Sequence, residues 1–221
     1  MAAIYLIRHG QASFDAADYD QLSELGFEQA RLLGKYWRDV SLPAPDQIYR
    51  GDMLRHRQTM DAFLDTYAHA TTKPDVHDGF NEFNHVEVLK RHQDDWPGLN
   101  NSQDFEKAFI GAFQRWQSGE YDQEYDESWP QFKQRCVNAL HDIMVQAGTA
   151  KNILVFTSGG AISVVLQHIL LIPDHQVMRI NQQIRNGSLT RLLFSGSRLS
   201  VDYMNNFSHL EQAGPEWVTY R

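Results

Sequence analysis

The chain has 221 residues, 42% of them hydrophobic, and a formal net charge of -8 at pH 7. A chain of this length buries roughly 70% of the surface that its unfolded form exposes, so we expect one domain over residues 1–221 that needs no metal or disulfide to fold. The negative charge argues against nonspecific binding to nucleic acid or to an anionic membrane, because both favour a basic protein face.

Cysteine usage and hydropathy bear on the compartment in which the protein works. Cys136 is the single cysteine, and it falls at helical spacing with apolar residues, so we expect a buried thiol in the reducing cytosol. The opening MAAIYLI is shorter than the apolar region of a signal peptide, and no later apolar run approaches the roughly 20 residues that span a bilayer. We therefore expect a cytoplasmic protein.

The first third of the chain contains two units of strand, polar turn and helix. Residues 3–7 (AIYLI) form a short apolar run that predicts a buried strand ending at the polar tripeptide RHG. A helix is predicted over about residues 24–38, with Ser23 as its N-cap. DQIYRG then predicts a weaker strand, and the apolar spacing in MLRHRQTMDAFLDTYA predicts the helix that follows it.

The composition changes between about residues 91 and 130, where many aromatic side chains stand among Asp, Glu and Gln. We interpret this segment as a helical insertion that covers one face of the domain. Two roles stay open for it from the sequence alone: additional core, or a lid that shapes a pocket.

The last third of the chain contains another strand, turn and helix, in NILVFTSGGAISVVLQHIL. LTRLLFS and LSVDYMNN then predict two more strands, joined as a hairpin across Gly196. Strands that alternate with helices predict an α/β layered fold with a mostly parallel sheet.

Three of the predicted loops follow the carboxyl ends of strands, where ligands bind in parallel α/β sheets. Two of these loops carry arginine, whose planar fork pairs with phosphate or carboxylate oxygens. The third, TSGG, leads into the N-terminus of a helix, which favours an anion. The site therefore points to an anion, most simply phosphate. His9 beside it could be a ligand, a general base, a nucleophile or a capping residue.

Five motifs, taken in order, resemble those of the histidine phosphatase superfamily, the phosphoglycerate mutase-like family. YLIRHGQAS is similar to the family's first strand with Arg-His-Gly, and LSELGFEQA to its Leu-Thr/Ser-x-x-Gly-x-x-Gln-Ala helix start. DMLRHRQT matches part of Ser-x-Leu-x-Arg-Ala-x-x-Thr, and ESWPQFKQRCVNAL and RNGSLTRLLF resemble two later segments. The resemblance covers about residues 1–35, 48–89 and 127–195. It implies a three-layer α/β/α sandwich with a mostly parallel central sheet.

The resemblance also implies a metal-independent phosphatase that needs no cofactor and acts on a small phosphomonoester. His9 would attack phosphorus and become phosphohistidine, while Arg8 and Arg55 would bind the phosphoryl oxygens. Glu82, in GFNEFNHVEV, would protonate the leaving oxygen and then help to deprotonate water, a role that a pocket shielded from water would favour. The alternatives that the motif spacing leaves open are Arg50 and Arg57 in place of Arg55, and Glu87 in place of Glu82.

The chain departs from the family pattern at several positions. Ser158 stands where the family presents a second histidine, and the loss of one strong donor at a reaction centre can slow chemistry by ~10²–10³-fold. The Ser158 hydroxyl and the backbone N–H groups of Gly159 and Gly160 remain as phosphate donors, and Gln11 and Ser13 are further polar candidates. In addition, Asp15 stands where some members have asparagine, and the Trp-Glu-Gly that often follows the glutamate motif is absent.

These departures keep other functions open. One is a phosphate-binding protein with little or no turnover, and another is a phosphoglycerate mutase-type phosphotransferase, which the missing Trp-Glu-Gly makes the weaker alternative. A serine hydrolase using Ser158 lacks the first glycine of Gly-x-Ser-x-Gly. The chain's ten histidines show no tight metal-binding pair, so we interpret most of them, His56 included, as scattered surface residues, with His85 and His92 bordering the pocket. A homodimer is left open.

Overall fold

A mixed β-sheet forms the centre of the computed structural model, which describes residues 1–13, 20–68, 72–93 and 102–220. Within these residues the sheet has six strands, in the order β3-β2-β4-β1-β5-β6. The strands are β1 (Ala2–Arg8), β2 (Gln47–Arg50), β3 (Asp75–Val76), β4 (Asn152–Thr157), β5 (Leu189–Ser195) and β6 (Arg198–Asn206).

The pairing of the strands confirms the predicted α/β class and refines it. β1 and β2 both run parallel to β4, and β3 runs parallel to β2. The C-terminal hairpin, which turns at Gly196 with a φ of +58°, adds β5 antiparallel to β1 and β6 antiparallel to β5. Arg8 pairs with Thr157 and Arg50 with Phe156, so the carboxyl ends of three parallel strands meet at one edge of the sheet.

Helices cover both faces of this sheet. The side chains of β1 alternate: Tyr5 and Ile7 pack with residues of the first two helices, whereas Ile4 and Leu6 pack with the helices on the other face. This arrangement is the expected three-layer sandwich. None of the helices in the described ranges is long and apolar enough to cross a membrane. The helices are α1 (Glu24–Asp39), α2 (Leu54–Tyr67), α3 (His85–His92), α4 (Ser102–Gln117), α5 (Trp129–Gln146), α6 (Gly159–Leu170), α7 (Asp174–Gln183) and α8 (Ser208–Ala213).

Two local predictions from the sequence are confirmed. Ser23 is the N-cap of α1, and its hydroxyl accepts a hydrogen bond from the N–H of Gly26 at 3.1 Å. Cys136 is fully buried, and burial raises the pKa of its thiol. Cys136 is therefore part of the core and is not poised to react.

The aromatic segment contributes a second hydrophobic core beside α6. Phe113 and Trp116 of α4 pack edge to face on Trp129, and Phe132 of α5 joins the same cluster. Phe83 also packs on Trp116, with ring centroids 5.0 Å apart, so this core supports the loop that carries Glu82. The segment thus serves as additional core. Residues 94–101, on which the lid prediction also depends, lie outside the described residues.

Candidate active site

The loops after β1 and β4 lie side by side and form the centre of the candidate site. The N–H of His9 donates to the carbonyl of Thr157 at 2.9 Å, which continues the β1–β4 ladder by one residue. His9 and Ser158 are therefore held next to each other, although 149 positions of the sequence separate them. The hydroxyl of Thr59 accepts from the N–H of Gly10 at 3.1 Å and donates to the carbonyl of Arg55 at 2.7 Å, which ties the His9 loop to α2.

His9 is held in the form that a nucleophile requires. Its Nδ1 lies 2.7 Å from the carbonyl oxygen of Gly10, and because a carbonyl can only accept, Nδ1 carries the proton. Nε2 of the neutral ring then carries a lone pair. Burial holds the pKa of His9 well below its usual value, and the positive charges of Arg55 and Arg8 act in the same direction. The ring is therefore neutral at physiological pH, with its lone pair on Nε2.

The structure brings Arg55 to the site. Its side chain is only 5% exposed and lines a cavity of about 390 Å³ together with Glu82 and His85. Of the two alternatives, Arg50 donates to the carbonyl of Gly51 at 2.9 Å, and Arg57 lies on the exposed face of α2.

Asp20 is a residue of this cavity that the sequence analysis does not find. One of its carboxylate oxygens accepts from Arg55 at 2.6 Å, and the other accepts from the N–H of Leu54 at 2.8 Å. Asp20 thus caps the first turn of α2 and holds the guanidinium of Arg55 in one orientation. No motif marks Asp20, because its role depends on a contact across 35 positions of the chain.

The guanidinium of Arg8 makes contacts with the segments that follow α7 and precede the C-terminus. Nη1 donates to the carbonyl of Ile184 and, at 3.0 Å, to that of Tyr220. The Nε of Arg8 lies near Gly159, because a Cβ added to that glycine would be 3.5 Å from this Nε. Arg8 therefore joins the C-terminal segment to the start of α6 as well as lying beside His9.

Glu82 lies in the loop before α3, contacts the first turn of α6 and lines the cavity. Its Oε2 accepts from the N–H of Gly160 at 3.0 Å, and its Oε1 accepts from the N–H of Phe83 at 3.2 Å. The prediction that the N–H of Gly160 is open to a phosphate is therefore wrong, because Glu82 already accepts from it. Burial raises the pKa of Glu82; the hydrogen bond from Gly160 and the charge of Arg55 oppose this without cancelling it. The alternative residue, Glu87, accepts from the N–H of Asp126 at 2.7 Å and is not among the residues that line the cavity.

The remaining polar candidates of the first loop turn toward α1. The side-chain carbonyl of Gln11 accepts from the hydroxyl of Ser23 at 2.9 Å, and the hydroxyl of Ser13 donates to the carbonyl of Leu22 at 3.1 Å. The structure therefore gives these two side chains partners at the N-terminus of α1. Asp15 lies outside the described residues.

Ser158 lies at the centre of the site, but its partner is a residue that the sequence analysis places wrongly. Its hydroxyl oxygen is 2.6 Å from Nε2 of His56, and both residues are fully buried. The prediction of a surface position for His56 is therefore wrong. The spacing of His56, Thr59 and Phe63, which all lie on the buried face of α2, is the signal that could have shown this.

The positions of the other histidines bear on the alternative of a metal site, and the backbone conformation at Ser158 bears on the alternative of a serine hydrolase. His85 lines the cavity as predicted, whereas His92 is exposed and contacts Gly111. Across the described ranges, three or more His, Cys, Asp or Glu residues nowhere group as a metal site would need. Ser158 has φ -120° and ψ 166°, an ordinary extended conformation that differs from the strained turn of a nucleophile elbow.

Gly160 is needed for the position of Glu82, which gives a first testable prediction. A Cβ at position 160 would collide with Oε1 of Glu82 and come within 3.0 Å of the Phe83 ring. Gly160→Ala is therefore expected to displace the carboxylate and to lower kcat/KM for an alkyl phosphate by roughly 10–100-fold, part of what loss of the predicted general acid would cost. The measurement is steady-state kinetics, with the melting temperature measured beside it.

Gly111→Ala is the matched control for this variant. It also adds a methyl group inside a helix, but the nearest atoms belong to the exposed side chain of His92. We expect an unchanged kcat/KM for this control. Equal activities of the two variants would contradict the role given to Gly160.

Comparisons with known proteins support the fold. A family model described as histidine phosphatase superfamily (branch 1) matches residues 4–207. A crystal structure of phosphoglycerate mutase from Bacillus anthracis is 18% identical, with a TM-score of 0.68 and coverage of 94% of each chain. A phosphoserine phosphatase variant from Entamoeba histolytica, solved with phosphoserine, is 17% identical, with a TM-score of 0.67 and coverage of 95% of this chain and 100% of that one.

A mycobacterial glucosyl-3-phosphoglycerate phosphatase is similar to the same extent. It is 19% identical, with a TM-score of 0.65 and coverage of 93% of this chain and 99% of that chain. At such identities the likeness shows a common fold. No curated protein matches the chain.

Proposed function

Because the chain belongs to the histidine phosphatase superfamily (branch 1), we propose that it is a metal-independent phosphatase that hydrolyses a small phosphomonoester through a phosphohistidine on His9. One observation carries this proposal. The neutral, buried His9, with its proton fixed on Nδ1, lies at the same sheet edge as Arg55 and Glu82. Two of the similar structures are phosphatases named for small phosphorylated molecules, which supports that substrate class.

The proposed first step forms a bond between Nε2 of His9 and phosphorus and breaks the bond from phosphorus to the leaving oxygen. Arg55, held by Asp20, stabilises the charge on the equatorial oxygens, with Arg8 beside it. Glu82, whose pKa burial raises, gives its proton to the leaving oxygen. The product alcohol then departs, and the phosphoryl group remains on His9.

The proposed second step returns the enzyme to its starting state. Water attacks phosphorus while the Glu82 carboxylate accepts a proton from it. The bond to Nε2 of His9 breaks, and inorganic phosphate leaves. Both residues are then in their original protonation states, so the cycle balances without a metal or a redox partner.

A phosphoenzyme assay in EDTA tests this proposal. We expect hydrolysis of p-nitrophenyl phosphate that EDTA leaves unchanged, and an acid-labile, base-stable phosphoryl group on the protein after rapid quenching. A protein that binds inorganic phosphate without hydrolysis or phosphoenzyme would instead be the phosphate-binding alternative, which Ser158 in place of the family's second histidine favours. Transfer of the phosphoryl group to a second alcohol in preference to water would indicate a phosphotransferase.

A further inference from the structure

His56 occupies a position in the site that the proposed reaction does not use. Its imidazole is fully buried, and its ring centroid lies 5.9 Å from that of His9. His56 follows Arg55 directly in the first turn of α2, so the backbone places its ring at the same edge of the sheet as those two residues. The His56 ring is therefore close enough to His9 to influence the proposed reaction.

The two ring nitrogens of His56 differ in their partners. Nε2 lies 2.6 Å from the hydroxyl oxygen of Ser158, whereas Nδ1 has no hydrogen-bond partner among the described residues. A buried N–H without an acceptor is rarer than a buried acceptor without a donor, so we assign the proton to Nε2, which then donates to Ser158. This assignment leaves the hydroxyl hydrogen of Ser158 free to be donated to another group.

The hydroxyl of Ser158 is not used by the helix that it precedes. Ser158 is the N-cap of α6, yet its side chain makes no capping hydrogen bond, in contrast to Ser23 at the start of α1. It lies next to His9 across the β1–β4 ladder. The hydroxyl is thus held by His56 at the position where the proposed reaction needs a donor.

The surroundings of His56 favour a bound anion nearby and differ from those of a histidine that only fills space in the core. Gly51 provides the space for the ring, because a Cβ at that residue would collide with Nδ1. Burial and the charges of Arg55 and Arg50 hold the pKa of His56 well below its usual value, so the ring is neutral without a ligand. A buried imidazole with an unpaired nitrogen beside two arginines costs free energy that an apolar side chain would not. The charges of Arg55 and Arg50 favour a phosphoryl dianion in this region, and such a dianion can accept the hydroxyl hydrogen of Ser158.

We propose that His56 is a positioning residue that turns the hydroxyl of Ser158 toward a phosphoryl oxygen, so that the pair supplies a hydrogen-bond donor opposite Arg55. The inference rests on the proposed phosphatase function for its kinetic consequences. It gives Ser158 the contact with substrate and His56 the control of where the Ser158 proton points. No covalent step passes through either residue.

A double-mutant cycle with His56→Ala, Ser158→Ala and the double variant tests this proposal. We expect each single change to lower kcat/KM by ~10²-fold, as for one oxyanion donor, and the affinity for vanadate, a mimic of the transition state, by tenfold or more. The double variant is expected to be no more than about threefold worse than either single variant, because the two residues act as one unit. His56→Gln, whose amide can donate to Ser158, is expected to recover most of the loss. Additive losses, or vanadate affinities equal to wild type, overturn the proposal.

His209→Ala is the matched control, because His209 is also a buried histidine with one unpartnered ring nitrogen, but in α8. It is expected to lower the melting temperature and to leave vanadate affinity unchanged; an equal loss of affinity in this control would overturn the role of His56.

Vanadate binding also separates the proposed role of His56 from the proposed phosphatase function. If wild type binds vanadate but hydrolyses nothing, the phosphatase proposal fails and the cycle in vanadate affinity still decides the role of His56. Labelling of Ser158 by a fluorophosphonate, or no vanadate binding by wild type, overturns the inference.

Discussion

Replacing His9 by alanine is expected to abolish EDTA-resistant hydrolysis of p-nitrophenyl phosphate, with a loss of about 10⁴-fold or more in kcat, as for removal of other catalytic nucleophiles. The reason is that His9 alone supplies the lone pair that attacks phosphorus in the proposed reaction. The neighbouring His56 cannot replace it, because Nε2 of His56 is hydrogen-bonded to Ser158 and the centroid of its ring lies 5.9 Å from that of His9. The measurement is the steady-state rate together with trapping of the phosphoenzyme.

Two controls accompany the His9 variant. His141→Ala removes an exposed imidazole from α5 and is expected to keep the full rate. Circular dichroism and the melting temperature establish that His9→Ala is folded. A variant that is folded and still retains a tenth of the wild-type rate, or still forms the phosphoenzyme, would show that another residue is the nucleophile.

The second large effect is expected from Glu82→Gln, and it depends on the leaving group. For an alkyl phosphate such as glycerol phosphate, the leaving oxygen needs a proton, so we expect kcat/KM to fall by ~10²–10⁴-fold. For p-nitrophenyl phosphate the phenolate leaves without a proton, so kcat/KM is expected to fall much less. The comparison uses kcat/KM because it reports the steps up to formation of the phosphoenzyme. Equal losses with both substrates would assign Glu82 a structural role.

The dependence of kcat/KM on pH follows from the directions of the two pKa shifts. In the proposed reaction Glu82 is the acid and must be protonated, and its pKa is raised, so activity is expected to fall as pH rises through that raised pKa. His9 is the proposed nucleophile and must be neutral, and its pKa is lowered, so activity is expected to be lost on the acid side only well below the usual histidine range. We expect a bell-shaped profile with an acidic optimum. In Glu82→Gln the alkaline limb contributed by Glu82 disappears, while the ionisation of the substrate affects both enzymes equally.

Local patterns explain why much of the fold could be predicted from the sequence. A strand or helix is encoded by apolar residues that are neighbours in the chain, so β1, the N-cap at Ser23 and the hairpin at Gly196 are each visible in a short segment. The burial of Cys136 follows from the same periodicity. The chain order of strands and helices then favours a parallel α/β core with a C-terminal hairpin.

The candidate site residues also divide into those that a local motif predicts and those that depend on the tertiary structure. His9, Arg55 and Glu82 are predicted from the family resemblance, because each stands in a short motif that is visible in the sequence. The sequence favours Arg55 and leaves Arg50 and Arg57 open; the structure adds that Arg55 lines the cavity, whereas Arg50 donates to Gly51 and Arg57 is exposed. The roles of all these residues in catalysis stay predictions until the variants are measured.

Long-range contacts account for what the sequence could not show. The sequence by itself determined the α/β class, the strand ends and the position of the RHG tripeptide, because these depend on residues close together in the chain. Only the tertiary structure decided that Asp20 holds Arg55 and that His56 lies against Ser158, 102 positions away. Such pairs follow from the packing of α2 and α6 on the edge of the sheet, and no local pattern of residues encodes that packing.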